Sequence, residues 1–367
     1  MKKTLLIVYS NLGLGGIPTK IVDIVNQMKT SHPKTKIYIL LKKRRAFDRR
    51  SSIINPNVTI VDFNNRGTHN NTILFILWAW LFILLHKPDS ILTFISAYSL
   101  PVLTTRLLFF WRKTKFIVSE DHYTSSMVQH MAFPQAQRLG IRLLYPLADI
   151  IITPTNAVKK DLQTSYGIPA HKIINVPNWS RYAKNSFSNT KRPYDITYVG
   201  RIDKTKNILS MLRLFAALVK RYKNQLSCCL VGEGDDLAGC VDYIKSHGLE
   251  KNIFIYPPTI DVSQYLRQSK VFVFNPEKKT EGFPISILDA MACGTIAVSK
   301  NFYGIREVIH GKNTGFIANT EKEMSKLLFS TLHNYNSLRP VIVFAKKHVA
   351  HYNSLNNIRQ YTNWFNG

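Results

Sequence analysis

Val271-Phe-Val-Phe274-Asn-Pro-Glu-Lys-Lys-Thr-Glu281-Gly-Phe-Pro-Ile-Ser-Ile-Leu-Asp289-Ala-Met-Ala292 is the stretch whose reading settles the fold class. It opens on an unbroken apolar run, crosses a polar loop and closes on a helix-length segment that starts near Pro284. An unbroken Val/Phe run predicts a strand buried on both faces, as in a parallel sheet covered by helices on each side. Proline suits a first helical turn, where its missing N–H has no intrahelical acceptor to lose.

The same strand–loop–helix unit repeats outward in both directions. Leu5–Tyr9, Lys36–Leu41, Val58–Val61, Ser90–Ile95, Lys115–Val118 and Asp149–Ile152 read as strands in the first half. Ile196–Val199, Ser227–Val231, Asn252–Ile255 and Ile296–Val298 join Val271–Phe274 in the second. Helices between parallel strands make right-handed crossovers. The expected fold class is therefore α/β, with two Rossmann-like doubly wound domains. At 367 residues the chain suits two domains. The break is expected at the polar, aperiodic stretch Pro177–Pro193, giving domains over residues 1–180 and 181–350 with a tail over 351–367. Ligands of such sheets bind at the carboxyl ends of strands.

Apolar residues make up 45% of the chain, enough for two cores, and the formal net charge is +27. Both halves are basic. Such a charge predicts an anionic partner: a membrane surface, a nucleic acid or a phosphorylated substrate. Cys228, Cys229, Cys240 and Cys293 show no C-x-x-C or Cys/His zinc spacing, so free thiols in a reducing cytosol are expected. The apolar run after Met1 is too short for a signal peptide and reads as a first buried strand.

Chemistry-bearing residues gather in the loops after strands. Ser10-Asn-Leu-Gly-Leu-Gly15-Gly16-Ile-Pro18 follows the first strand and opens a helix. Bare Gly15 and Gly16 would let a backbone approach a phosphate or substrate beside helix N–H groups. The spacing is not G-x-G-x-x-G, which argues against a nicotinamide oxidoreductase. Arg201 and Lys206 follow Val199-Gly200. Arg grips two phosphate oxygens and Lys supplies a point charge, so the pair suits a diphosphate leaving group. Glu281 sits on a Gly-containing turn before a helix N-terminus, where the N–H groups in the stretch Phe283–Ser286 would meet phosphate or sugar. Glu281 and Asp289 are acids suited to sugar and ribose hydroxyls; paired acids can equally be a hydrolase couple or helix N-terminal charges.

Arg201…Lys206, Glu281-Gly-Phe-Pro…Asp289-Ala-Met-Ala-Cys-Gly, Val231-Gly-Glu-Gly-Asp-Asp and Val176-Pro-Asn-Trp179 together resemble the family-4 retaining glycosyltransferases of the GT-B fold, over roughly residues 3–330. The resemblance implies two facing Rossmann-like domains, a nucleotide-sugar donor held by the second domain and an acceptor on the first. It implies transfer with retention at the anomeric carbon, no metal and no resident cofactor, and a last helix, about Ser354–Phe365, that crosses back toward the first domain. Arg201 and Lys206 would hold the donor diphosphate with Phe283, Pro284 and Ile285, Glu281 the donor sugar and Asp289 the ribose. The family usually has Glu where Asp289 stands, one methylene longer. The family also has a His after the fifth strand, which places His122 beside the donor sugar in a positioning role, with Glu120 as the alternative.

Three segments address the partner. Ile73–Leu85 is an apolar run that as a helix would span about 20 Å, short of the roughly 30 Å hydrocarbon core. It can be a core helix or an interfacial one. Leu100–Lys115 mixes aromatics with cations, and Lys42–Arg50 is a basic run. With the net charge they favour peripheral attachment to the inner face of the cytoplasmic membrane. The expected activity is hexosyl or N-acetylhexosaminyl transfer from an NDP-sugar, UDP foremost, to a lipid-linked, lipopolysaccharide or capsule acceptor. Pro257–Ile260 is expected against the nucleobase. The rival readings are a catalytically weak binding subunit of the same fold and a basic nucleic-acid-binding protein; no zinc-finger, RRM or helix-turn-helix pattern supports the latter.

Overall fold

The computed structural model describes residues 3–63, 71–108, 113–183, 191–277, 280–352 and 354–366. Part of the expected linker (184–190), of the aromatic–cationic stretch (109–112) and of the loop before Glu281 (278–279) lies outside the described residues. The chain divides into two compact units: Met1–Pro177 with Leu355–Gly367, and Asn178–Ser354.

The first unit runs β1 (Thr4–Tyr9), α1 (Gly16–Ser31), β2 (Lys36–Leu41), β3 (Val58–Asp62), α2 (Thr72–His86), β4 (Ser90–Phe94) and α3 (Ser96–Leu108). It continues with β5 (Lys115–Ser119), α4 (Thr124–Val128), α5 (Pro134–Leu144), β6 (Ile150–Thr153), α6 (Asn156–Tyr166) and β7 (Ile173–Asn175). The sheet order is β3-β2-β1-β4-β5-β6-β7, and all pairs are parallel. The direction of travel across the sheet reverses between β1 and β4, which opens a crevice at their carboxyl ends. Leu6, Val8, Leu40, Ile91, Phe116, Val118 and Ile151 pack with Phe75, Phe82, Val102 and Ile141 of α2, α3 and α5. These strands are buried on both faces, as Leu5, Ile7, Ile39, Leu92 and Ile117 are buried too.

The second unit runs β8 (Tyr194–Val199), α7 (Ile208–Arg221), β9 (Cys228–Val231), α8 (Leu237–Ser246), β10 (Ile253–Tyr256), α9 (Ser263–Arg267), β11 (Ser269–Phe274) and α10 (Ile285–Ala292). After these come β12 (Ile296–Lys300), α11 (Ile305–Val308), α12 (Gly311–Thr314), β13 (Phe316–Ala318), α13 (Glu321–His333) and α14 (Arg339–Ala350). Its sheet is β10-β9-β8-β11-β12-β13, again parallel throughout, with the reversal between β8 and β11. The helix α15 (Ser354–Asn363) begins at the boundary and falls almost wholly with the first unit.

Four expectations need correction. The unit boundary falls at Pro177/Asn178, not at 180, because Asn178 and Ser180 hydrogen-bond to Phe283 and Asp289 in the second unit. Trp179 and Ser180, read as linker, are each 1% exposed. The fourth strand stops at Phe94: Ile95 takes φ 56°, a left-handed turn a β-branched residue adopts only under constraint. Asp149 is not a strand residue; its carboxylate caps the edge by accepting the Phe116 N–H at 2.7 Å. Strands β7 and β13 carry too few residues to stand out in the sequence.

The basic run Lys42–Arg50 is not merely solvated. Arg49 is buried, Arg50 binds Asp48 at 3.0 Å and also Asp62, and Lys42 Nζ donates to Thr72 Oγ1 at 2.7 Å. All four cysteines are buried free thiols.

Candidate active site

In the second unit, chemistry collects where the sheet order reverses. β8 and β11 are hydrogen-bonded neighbours, with Val271 opposite Ile196. The loop after β8 carries Arg201 and Lys206, and the loop after β11 carries Glu281. Because the strands are parallel and adjacent, both loops leave the same edge side by side. Lys206 Nζ lies 2.5 Å from Glu281 Oε1, and both side chains are 13% exposed. The Lys206 ammonium also sits 5.2 Å from the centroid of the Phe274 ring.

The β8 loop is built tightly. Asp203 caps its short turn, accepting from the Lys206 N–H at 3.3 Å and pairing with Arg201 Nη1 at 2.9 Å. The Arg201 side chain and the Lys206 backbone are thereby tied to the two oxygens of one carboxylate. The Tyr198 hydroxyl donates to the Arg201 carbonyl at 2.7 Å. Burial first, then the nearby Asp203, pushes the Tyr198 phenol well above its ordinary range, so it stays a donor. Gly234 of the Gly-Glu-Gly-Asp loop lies against this turn: a Cβ there would stand 2.2 Å from the Ile202 carbonyl oxygen. A backbone this close needs glycine.

Pro284 is the N-cap of α10, and the Asn178 side chain donates to the Phe283 carbonyl at 2.7 Å. The Phe283 ring is buried against Tyr352, with centroids 5.3 Å apart, and Ile285 is buried as well. These two side chains belong to the core; what they can offer a ligand is backbone. Pro284 has no N–H, so the amides of the first turn come from its neighbours.

Asp289 lies on α10 and accepts from Ser180 Oγ at 2.6 Å. Ser180 also accepts from the Tyr182 N–H at 3.1 Å, and the Tyr182 hydroxyl donates to Asp261 at 2.9 Å. Burial, then Asp289 and Asp261, drive the Tyr182 phenol far above its ordinary value. Ser180, Tyr182 and Asp261 were not singled out in the sequence. The one signal there was that a supposed linker contains a Trp and a Tyr. Pro257–Ile260 forms the loop after β10, with Ile260 40% exposed.

In the first unit, Gly15 (φ 145°) is the N-cap of α1, whose first residue is Gly16. Thr19 Oγ1 closes that turn on the Gly15 carbonyl at 3.0 Å. The loop after β5 sends Glu120, Asp121 and His122 in different directions. Asp121 points inward to Lys20, with Nζ–Oδ1 2.5 Å, and His122 is half-buried. Glu120 is 2% exposed and accepts from the Tyr145 hydroxyl at 2.5 Å. Glu120 is thus buried beneath Tyr145, whereas His122 is half-buried.

Burial, opposed by the Tyr145 hydrogen bond, raises the Glu120 carboxyl from 4.5 to about 8. A carboxyl raised in the folded state stabilises that state fully at pH values below its unfolded pKa. That contribution is lost as pH rises from about 4.5 through about 8. Glu120→Gln keeps the acceptor for Tyr145 and removes the titration. The variant should therefore gain on the parent across this window by a few kcal/mol, since each tenfold change in proton affinity is worth roughly 1.4 kcal/mol. Urea midpoints measured against pH check this; parallel curves for the two proteins refute it.

Residues 14–179 match the family described as Glycosyltransferase Family 4, and residues 181–348 match Glycosyl transferases group 1. The chain belongs to the family-4 glycosyltransferases. Among curated relatives, an uncharacterized glycosyltransferase of Haemophilus influenzae is 28% identical over 218 residues, 58% of this chain and 59% of that protein. The Campylobacter jejuni "N-acetylgalactosamine-N,N'-diacetylbacillosaminyl-diphospho-undecaprenol 4-alpha-N-acetylgalactosaminyltransferase" is 25% identical over 224 residues, 59% of each chain. The match thus spans less than two thirds of these curated relatives. Anabaena HepE, crystallised with UDP and glucose, superposes with TM-score 0.75 at 15% identity, over 98% of each chain. That likeness shows the GT-B type of fold, built from two parallel-sheet Rossmann-like units. Among the described residues, no group of three or more His, Cys, Asp or Glu side chains is placed to hold a metal ion.

Proposed function

We propose that this protein transfers a hexose or N-acetylhexosamine from a UDP-sugar, with retention and without a metal, to a lipid-linked or lipopolysaccharide- or capsule-type acceptor at the inner face of the cytoplasmic membrane. The observation that carries the reading is the Lys206–Glu281 pair at the β8/β11 reversal, beside Arg201 and the first turn of α10. Arg201 and Lys206 meet the diphosphate, and Lys206 leaves its carboxylate partner for phosphate oxygens when donor enters. Glu281 then accepts hydrogen bonds from sugar hydroxyls, and Asp289 takes the ribose with Ser180 beside it.

In the transfer, the bond from the anomeric carbon to the diphosphate breaks and one to the acceptor oxygen forms on the same face. The acceptor proton passes to the departing phosphate, whose charge the two cations stabilise. His122 positions the donor sugar. The HepE complex with UDP and glucose supports a uridine donor, and the name of the Campylobacter relative supports a polyprenyl-diphosphate acceptor. UDP should raise the melting temperature more than GDP or ADP. A ligand at a hundred times its Kd stabilises the folded state by about 2.7 kcal/mol. Stabilisation by none of a panel of nucleotide-sugars sinks the reading, and an inverted anomeric configuration in the product sinks its stereochemistry.

A further inference from the structure

Helix α2 is apolar on every side, yet only one side is packed. Phe75, Ala79, Phe82 and Ile83 are buried against the sheet. Ile73, Leu74, Leu77, Leu81, Leu84 and Leu85 are exposed, from 37% for Leu84 to 70% for Ile73. At 100° per residue the exposed six fall within a sector of about 120°, opposite the buried four. They form one continuous stripe along the helix, far beyond the scattered single apolar residues of an ordinary surface.

The neighbouring helices continue it. The Trp80 indole N–H binds the Pro101 carbonyl at 2.8 Å and ties α2 to α3, which ends in exposed Leu107 and Leu108. Gly140 brings α5 close to α3: a Cβ there would lie 3.1 Å from Leu100 Cδ1. On α5, Leu139 (57%) and Leu143 (62%) are exposed, each directly after an arginine (Arg138, Arg142), while Ile141 is buried. All three helices cover the same side of the sheet.

Charge selects the occupant. α2, α3 and α5 contain no Asp or Glu. From residue 63 to 148 the acids are Asp89, Glu120 and Asp121, the last two buried. Lys42 reaches Thr72 at the start of α2, which brings the loop with exposed Arg44 and Arg45 to that end, and Lys87 caps the other. A second copy presenting the same basic rim would be repelled. A bilayer with anionic headgroups would accept both the leucines and the cations. No helix among the described residues is long and apolar enough to cross a membrane.

We infer that the α2–α3–α5 face docks on an anionic lipid surface, with α2 lying in the plane of the interface and its leucine stripe among the acyl chains. This rests on the proposed membrane attachment and assigns it a face. The test is co-sedimentation of the full chain with phosphatidylcholine vesicles, with and without phosphatidylglycerol, alongside UDP binding by thermal shift. The parent should bind the anionic vesicles and release as salt rises. Leu77→Glu with Leu81→Glu should weaken that binding at least about tenfold, and Arg138→Gln with Arg142→Gln should erase most of the preference for anionic lipid. UDP-induced stabilisation should be unchanged in both, because both pairs lie on helices of the first unit and Lys206 and Glu281 belong to the second. No vesicle binding by the parent, unaltered binding by the Leu pair, or a lipid-free dimer that the Leu pair dissolves each overturns the proposal. Vesicle binding without any UDP response overturns the transferase reading and leaves the docking face standing.

Discussion

Lys206→Ala is expected to lower the turnover number for sugar transfer by two to three orders of magnitude, about 3–4 kcal/mol of transition-state stabilisation. The ammonium stands at the reversal of the sheet, and in the proposed transfer it meets the diphosphate's negative charge as the glycosidic bond to it breaks. A cation that meets growing charge acts mainly on kcat, whereas one that only holds the bound donor acts on KM. Glu281→Ala should be comparably damaging for a different reason: it loses the acceptor for sugar hydroxyls and leaves the donor free to rotate. Both side chains sit on loops beyond the strand ends, so far-ultraviolet dichroism should be kept, while the melting temperature should fall somewhat because each loss leaves the other charge, 13% exposed, without its partner. Steady-state kinetics with a UDP-sugar, beside a melting curve, checks both halves. Full activity in either folded variant refutes the site.

Asp121→Ala should cost about 3–5 kcal/mol of stability, because it strands a buried ammonium. Lys20 is 1% exposed, and its Nζ lies 2.5 Å from Asp121, 2.7 Å from the Tyr361 hydroxyl and 3.4 Å from Ser119 Oγ. Ser119 closes the ring by bonding Asp121 at 2.9 Å and Tyr361 at 2.9 Å. Burial alone would lower the Lys20 ammonium; Asp121 and Tyr361 outweigh it and hold it above its ordinary value. The unit therefore keeps a charged lysine inside it. Taking both charges out together, as Lys20→Met with Asp121→Leu, should recover most of the loss, since packed apolar groups of similar volume replace such pairs at little cost. Urea unfolding of the two single variants and the double separates the terms. A single variant no less stable than the double would show that the pair is not coupled. The same ring fastens α15, because Tyr361 is its contribution from the far end of the chain.

Much of the second unit's candidate site was legible because it is local. The apolar run Val271–Phe274, the loop and the Pro-initiated helix put Glu281 at the end of a buried strand, and Ile196–Val199 does the same for Arg201 and Lys206. Ser180 and Tyr182 were not legible. Their stretch has no period, and their roles arise from Asp289 and Asp261, which lie about a hundred and about eighty residues further on. His122 and its two acidic neighbours read as one polar cluster. Only burial separates Glu120 beneath Tyr145 and Asp121 beneath Lys20 from the half-buried imidazole.

The amino-acid order alone determined the longer buried strands, that the sheets are parallel, and which loops carry cations and acids; the three-residue strands β7 and β13 escaped it. Those properties follow from short-range periodicity and backbone preference, which a segment possesses wherever it is placed. Tertiary structure decided what meets what: β11 beside β8, so that Lys206 reaches Glu281; α15 over α1, so that Tyr361 reaches Lys20; and one side of α2 turned to solvent. These depend on crossovers spanning tens to hundreds of residues, and on a uniformly apolar helix no pattern marks the inward side until a sheet is there to bury it.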